Sequence, residues 1–239
     1  QVLAATSVGL AVPEERMRMG ELGVKGTFLD NRLRVLADVY YGKWKNRHIP
    51  NLVQLLRADG SFQQTIVIQN TGGQTNLWGL ELEGTFQPTP ELTLEGTFNV
   101  AASKILQTYC TDCATITGNP TPVGTQLPSY PKYKGTLSAT YQRPVFGDVT
   151  GFLRVDYIYT GKIFDTEANV AWLIPTHKLN LHVGVERNNT RFEIYGKNIT
   201  DNRVPTALQR ATDGFTGGNA LSVSLADKAT YGLRLSQKF

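Results

Sequence analysis

The stretch Ala229-Thr-Tyr-Gly-Leu-Arg-Leu-Ser-Gln-Lys-Phe239 alternates along its whole length. Successive side chains of a strand point to opposite faces, so Tyr231, Leu233, Leu235 and Phe239 share one face. Thr230, Gly232, Arg234, Ser236 and Lys238 share the other. One face is apolar and one is wet, and the run closes on an aromatic residue with no polar tail.

The same period recurs upstream. Met17 to Phe28 sets Leu22, Val24, Gly26 and Phe28 against Glu21, Gly23, Lys25 and Thr27, and the turn Leu29-Asp-Asn-Arg32 leads into Leu33 to Tyr41, ending near Trp44. Leu77 to Phe86 is followed by a predicted turn at Pro88-Thr-Pro90 and by Leu92 to Val100. Tyr133 to Tyr141 and Gly151 to Tyr159 flank a turn at residues 144–148, and Leu179 to Val185 joins Arg191 to Lys197 through Asn188-Asn189. Short turns thus alternate with long connections, predicted at about 48–74, 103–129, through Trp172 and Pro175, and from Asn198 to about Asp227. This makes about nine strands of roughly nine to thirteen residues, near the length a tilted strand needs to cross a bilayer.

Composition is compatible with that. The 239 residues are 41% hydrophobic and 18% charged, with a mean hydropathy of -0.23. No run approaches the ~18–20 apolar residues of a membrane-spanning helix. A transmembrane barrel hides from hydropathy because its lipid-facing and lumen-facing residues alternate. A net charge of +4 spread over dispersed Lys and Arg gives no case for nucleic acid. Gln1 to Val12 is mildly apolar but has no initiator Met and no basic leader, so the chain is expected to be the C-terminal part of a longer protein.

Four fragments carry a family resemblance. Glu21-Leu-Gly-Val-Lys-Gly-Thr-Phe-Leu-Asp-Asn-Arg-Leu33 is followed by Asp38-Val-Tyr-Tyr-Gly-Lys-Trp44, then by Asn70-Thr-Gly72 with Trp78-Gly-Leu-Glu-Leu-Glu83, then by Glu193-Ile-Tyr-Gly-Lys-Asn-Ile-Thr-Asp-Asn202. In this order and spacing they resemble the barrel portion of TonB-dependent outer-membrane receptors. The terminal strand resembles the outer-membrane insertion signal read by the barrel-assembly machinery, carried here by Tyr231, Leu233, Leu235 and Phe239. Gln237 stands where an apolar or aromatic residue is more usual. The resemblance implies an all-β fold, an antiparallel transmembrane β-barrel of roughly 22 strands with a plug inside, residues 1–239 supplying about the last nine. It implies a receptor that binds a scarce, bulky nutrient such as a ferric siderophore and imports it with energy from the TonB complex. The segment contacting that complex would precede residue 1. Haem, cobalamin and oligosaccharides are the other cargo classes the resemblance allows.

Recognition residues sit on loops held by a rigid scaffold. The candidates are Trp44, Arg47, His48 and Arg57 in the first long loop, Tyr109 and Tyr130 beside the cysteines, Phe164 and Trp172 in the third, and Arg203, Gln209, Arg210, Asp213 and Phe215 in the last. Aromatics would stack on a ligand ring, and Arg would pair with an anionic chelate. Aromatics near strand ends also form interfacial girdles, an equal alternative for Trp44. Cys110-Thr-Asp-Cys113 lacks the second pair a structural zinc site needs; in a cell-surface loop a local disulfide is expected, against a metal or redox role. The lumen series Arg34, Asp38, Glu81, Glu83, Glu95, Lys134, Arg154, Asp156, Glu186, Arg191, Glu193 and Lys197 is expected to solvate the wall and brace a plug. His48, His177 and His182 form no ligand motif, and no metal or cofactor is called for. There is no nucleophile elbow, His-Glu-x-x-His pair or phosphate loop, so no enzyme is expected. A passive porin or adhesin-like barrel and a soluble carbohydrate-binding sandwich are the competing classes.

Overall fold

The computed structural model describes residues 13–70, 72–212 and 219–238. In chain order the strands are β1 (Arg16–Phe28), β2 (Leu33–Lys45), β3 (His48–Leu56), β4 (Phe62–Asn70), β5 (Gln74–Thr89), β6 (Leu92–Gln107), β7 (Tyr133–Phe146), β8 (Val149–Thr160), β9 (Ile163–Phe164), β10 (Trp172–Leu173), β11 (Thr176–Arg187), β12 (Thr190–Lys197), β13 (Ala207–Thr212), β14 (Asn219–Ser224) and β15 (Thr230–Gln237). One short helix, α1 (Thr111–Thr117), lies between β6 and β7. Nine strands form a single antiparallel sheet in the order β1-β2-β5-β6-β7-β8-β11-β12-β15, and β3 with β4, β9 with β10 and β13 with β14 pair locally.

Register turns the alternation into two continuous faces. Phe28, Leu33, Phe86, Leu94, Ala139, Val155, Leu181, Gly196 and Tyr231 stand side by side across all nine strands without a polar residue. One residue further along, Thr27, Arg34, Thr85, Glu95, Ser138, Asp156 and Asn180 make an unbroken polar row on the opposite face. The apolar face is uncovered: Leu22 is 76% exposed. A contiguous apolar surface of this extent marks a face that lies against lipid or another protein.

Short turns lie together at one end. Leu29, Asp30 and Asn31 have φ of 54°, 54° and 68°, and Asn188 has 52°. Asp and Asn tolerate this left-handed backbone because their short side chains bond locally. The predicted turn at Pro88-Thr-Pro90 is corrected: β5 continues to Thr89 after an irregularity beyond Phe86, and the turn falls at Pro90 and Glu91. At the other end the strands outrun their apolar sections, β2 to Lys45 and β6 to Gln107, and the connection read as 48–74 carries the β3–β4 hairpin. Buried apolar residues gather here, among them Ile49, Ala101, Ala102, Ile105, Cys110, Cys113 and Leu173. Most of the buried apolar residues therefore lie at this end, in the loop layer and in the extension of β6 beneath it.

Candidate functional site

Residues more than a hundred positions apart meet in that layer. The Arg47 guanidinium, just past β2, donates to the Glu167 carboxylate at 2.7 Å. Both side chains are only 12% exposed. Arg47 also lies over the Trp44 ring, 5.8 Å from its centroid. The Glu167 carboxylate comes within 4.8 Å of the Cys110 and Cys113 sulfurs, which are bonded to one another at 2.05 Å. A bonded pair offers no thiolate to a metal. Cys110 caps α1, its sulfur accepting from the Cys113 N–H at 3.1 Å, and Gly118 at φ 75° closes the helix. The Asn169 side chain then grips the Gln126 backbone at both groups, accepting from its N–H at 2.8 Å and donating to its carbonyl at 3.0 Å. The Ser129 N–H reaches the Phe164 carbonyl at 2.9 Å. Three connections are thus tied into one body.

Two further features lie at this end of the sheet. Phe164 and Trp172, paired through β9 and β10, meet edge to face at 6.4 Å. Lys162 stands 5.4 Å and 4.5 Å from their ring centroids, and Trp172 is 48% exposed. On the polar side of the sheet a recess of about 270 Å³ is lined by Tyr40 and Tyr130 with Glu21, Asp38 and Glu81.

Deeper along the polar face the charges satisfy one another. Asp156 accepts from the Ser138 hydroxyl at 2.6 Å and from Arg154 at 2.8 Å, and Arg154 reaches Glu95 at 2.8 Å. His182 stands between two carboxylates, Nδ1 at 3.0 Å from Glu193 and Nε2 at 3.5 Å from Asp156. Glu193, 3% exposed, also meets Arg191 at 3.1 Å and Arg234 at 3.4 Å. Arg191 stacks on the Phe152 ring at 3.7 Å. This network links β6, β7, β8, β11, β12 and β15. Groups so mutually paired brace a wall and have little capacity left for a ligand.

The run Lys197-Asn-Ile-Thr-Asp-Asn202 anchors the last loop. Asn198, nearly buried, donates to the carbonyls of Asn202 and Asp227 at 3.1 Å and 3.0 Å, and its N–H reaches the Asn180 side chain at 2.9 Å. Its amide is fully used, which leaves the glycosylation-like Asn-Ile-Thr without an accessible acceptor. Asp201 takes a two-pronged contact from Arg203 at 2.7 Å and 2.8 Å and accepts from the Ala229 N–H at 2.9 Å. The Arg203 hydrogen bond, helped by the Ala229 amide, holds its carboxyl below the usual value of 3.8. A lowered folded-state pKa gives stabilisation that is complete above the unfolded value and is lost as pH falls through the folded one. Protection of the Ala229 amide against hydrogen exchange, corrected for intrinsic rate, is therefore expected to hold as pH falls to the usual carboxyl value of 3.8 and to fail only at lower pH. Asp201→Asn should remove this pH dependence.

The family model described as TonB dependent receptor-like, beta-barrel matches residues 11–222. The chain belongs to this family. Among solved structures the receptor barrel is similar to the ferric yersiniabactin uptake receptor FyuA from Yersinia pestis, at 17% identity and a TM-score of 0.70, over 94% of this chain and 30% of that one. It is similar to the ferric-catecholate import receptor Fiu from K12 E. coli, at 19% identity and a TM-score of 0.66, over 100% and 30%. The copper transporter OprC aligns at 14% identity and a TM-score of 0.67, over 96% and 32%. The chain spans about 30% of the length of the first of these structures. Likeness at such identities establishes the fold, an antiparallel receptor β-barrel. No curated protein matches the chain.

Within this receptor barrel the sequence-derived candidates scatter. Trp44 falls by register with Asp38 and Tyr40, on the polar face, whereas Tyr41 and Trp78 stand side by side on the apolar one. His48 Nε2 lies 2.7 Å from the Pro13 carbonyl, and Arg57 forks onto the Gln63 side chain at 3.1 Å and 3.0 Å. Tyr109 is exposed beside Cys110. Arg210 is placed on β13, while Phe215, Asp213 and Phe239 lie outside the described residues. Tyr231, Leu233 and Leu235 are exposed on the apolar face. Glu167, Asn169 and Lys162 were not singled out from sequence: they sit in a short polar loop whose composition gives no sign of what it touches.

Proposed function

We propose that residues 1–239 are the C-terminal part of the β-barrel of an outer-membrane active-transport receptor. It binds a ferric siderophore or similar chelate at the cell surface and imports it with energy from the TonB complex. The carrying observation is a nine-stranded sheet of this family, apolar on one face, with short turns at one end and an interlocked loop layer at the other. Outer-membrane barrels place short turns in the periplasm and long loops outside. Both sheet edges, β1 and β15, are hydrogen-bonding edges that lipid does not tolerate, so they pair with strands outside this chain. FyuA, Fiu and OprC are described as receptors or transporters of ferric chelates or copper, which supports a metal chelate as cargo. Further partners in this reading are the outer-membrane lipid and the barrel-assembly machinery, engaged through Tyr231, Leu233, Leu235 and Phe239. The disulfide Cys110–Cys113 and Arg47 hold the loop layer, and Phe164 and Trp172 form the ligand platform.

The test is uptake of radiolabelled iron from a siderophore panel by cells carrying the full-length receptor, with and without a working TonB complex. Transport confined to one siderophore class and abolished without TonB is expected. Phe164→Ala with Trp172→Ala should weaken binding of that siderophore by about thirtyfold or more, the scale of an interface hot spot. Unchanged affinity would remove these aromatics from the ligand site.

A further inference from the structure

We infer that the apolar-facing side of β1, β2 and β6 carries, just beyond its aromatic girdle, a binding site for the phosphate groups of an outer-leaflet lipid. The inference rests on the outer-membrane reading above. Along β2 the outward series runs Val39, Tyr41, Lys43, Lys45; along β1 it runs Leu22, Gly20, Arg18, Arg16; along β6 it runs Val100, Ala102, Lys104. Register sets the changes at one height, with Tyr41 beside Trp78 and with Arg18, Lys43, Asn76 and Lys104 in one row. Arg16 and Lys45 make the next row out. Tyr41 and Trp78, both exposed, mark the headgroup level at which membrane proteins place amphipathic rings. Two residues further, roughly 7 Å along a strand, begin the cations.

This arrangement is unfavourable by itself. Like charges directly opposite on neighbouring strands repel. Only Arg16 has a carboxylate, Glu14 at 2.5 Å. Among the described residues, Arg18, Lys43, Lys45 and Lys104 pair with none. A groove of about 300 Å³ runs between Arg16, Arg18, Lys43 and Lys45. At the turn end, by contrast, the outward Arg187 has its own counter-ion, Asp148 at 3.0 Å. No carboxylate among the described residues balances Arg18, Lys43, Lys45 and Lys104, and we assign their anion to a source outside the chain. A phosphate offers several acceptor oxygens to guanidinium and ammonium groups at once. A lipid is the source, because acyl chains below such a phosphate would lie against Leu22, Val39 and their apolar neighbours.

The full-length receptor is extracted in mild detergent and examined by native mass spectrometry with added bisphosphorylated lipid A, or with the same lipid enzymatically dephosphorylated. Wild type is expected to retain the phosphorylated form alone, and millimolar inorganic phosphate should not displace it. A triple variant, R18Q/K43Q/K104Q, should bind on the order of a hundredfold more weakly, at about fivefold per cation, while keeping its heat-modifiable mobility. Equal retention of both lipids by wild type overturns the site without needing a folded variant. Undiminished binding by the folded triple variant, or complete displacement by free phosphate, overturns it as well. Siderophore uptake by the same strains separates the two readings. Lipid retention without uptake sinks the transport reading alone, whereas uptake without lipid retention sinks this site alone.

Discussion

Leu137→Arg is expected to destabilise the barrel by about 2–4 kcal/mol, the range for a cation placed at the lipid-facing midplane. Leu137 stands midway along β7 between Tyr133 and Tyr141, is flanked in register by Gly96 and Tyr157, and is exposed on the apolar face. An arginine there must pull its charge through hydrocarbon to either interface. Thr136→Arg, one position earlier, enters the polar face. It gives up only the hydroxyl contact with Thr97 at 2.7 Å, about 1 kcal/mol. Urea unfolding of the full-length receptor in lipid vesicles, followed by heat-modifiable mobility, compares the two. Equal costs, or a larger cost at Thr136, would mean that the assigned lipid and lumen faces are wrong.

The same alternation explains how far the fold was legible. Where a strand crosses the apolar zone, as from Leu22 to Phe28 or from Leu137 to Tyr141, burial of one face in lipid forces a period of two, and the strand can be read from residue types. Beyond that zone both faces are wet. Lys43 and Lys45 in β2, and Ser103 to Gln107 in β6, lose the contrast that marks a strand, so those extensions and the β3–β4 and β13–β14 hairpins read as connections. The run Pro88-Thr-Pro90 reads as a turn, but Pro88 is accommodated inside the strand near its irregular end and the chain reverses only at Pro90 and Glu91. The wall charges were legible as a face because parity assigns them. Their pairing was not: the contacts of His182 with Glu193 and Asp156 depend on strand neighbours that no local pattern names. The loop layer was least legible. Arg47 and Trp172 attract notice as residue types, but Glu167, lying 120 positions beyond Arg47, becomes meaningful only once the strands set the two loops side by side.

Glu167→Ala is expected to open that layer. Removing one partner of a largely buried ion pair leaves the other charge unbalanced, at a cost of about 3–5 kcal/mol. The Arg47 guanidinium would keep the Trp44 ring as a neighbour, which offers no carboxylate. Because the strands beneath are held by their own ladders, the loss should appear as local opening and not as global unfolding. Hydrogen exchange should rise throughout 108–132 and 161–175, where the Gln126–Asn169 and Ser129–Phe164 bonds tie one loop to the other, and stay unchanged in β11 and β12. Replacing both partners, Arg47→Met with Glu167→Leu, leaves no buried charge and should restore most of the protection, since apolar residues of similar volume often substitute for such pairs at little cost. Under the transport reading proposed above, in which the pair acts by holding Phe164 and Trp172 in place, siderophore affinity should follow protection, falling in the single variant and recovering in the double one. Affinity that stays low in a well-protected double variant would instead put Arg47 or Glu167 in direct contact with the ligand. Unchanged exchange in Glu167→Ala would show that the layer is held by its backbone bonds alone.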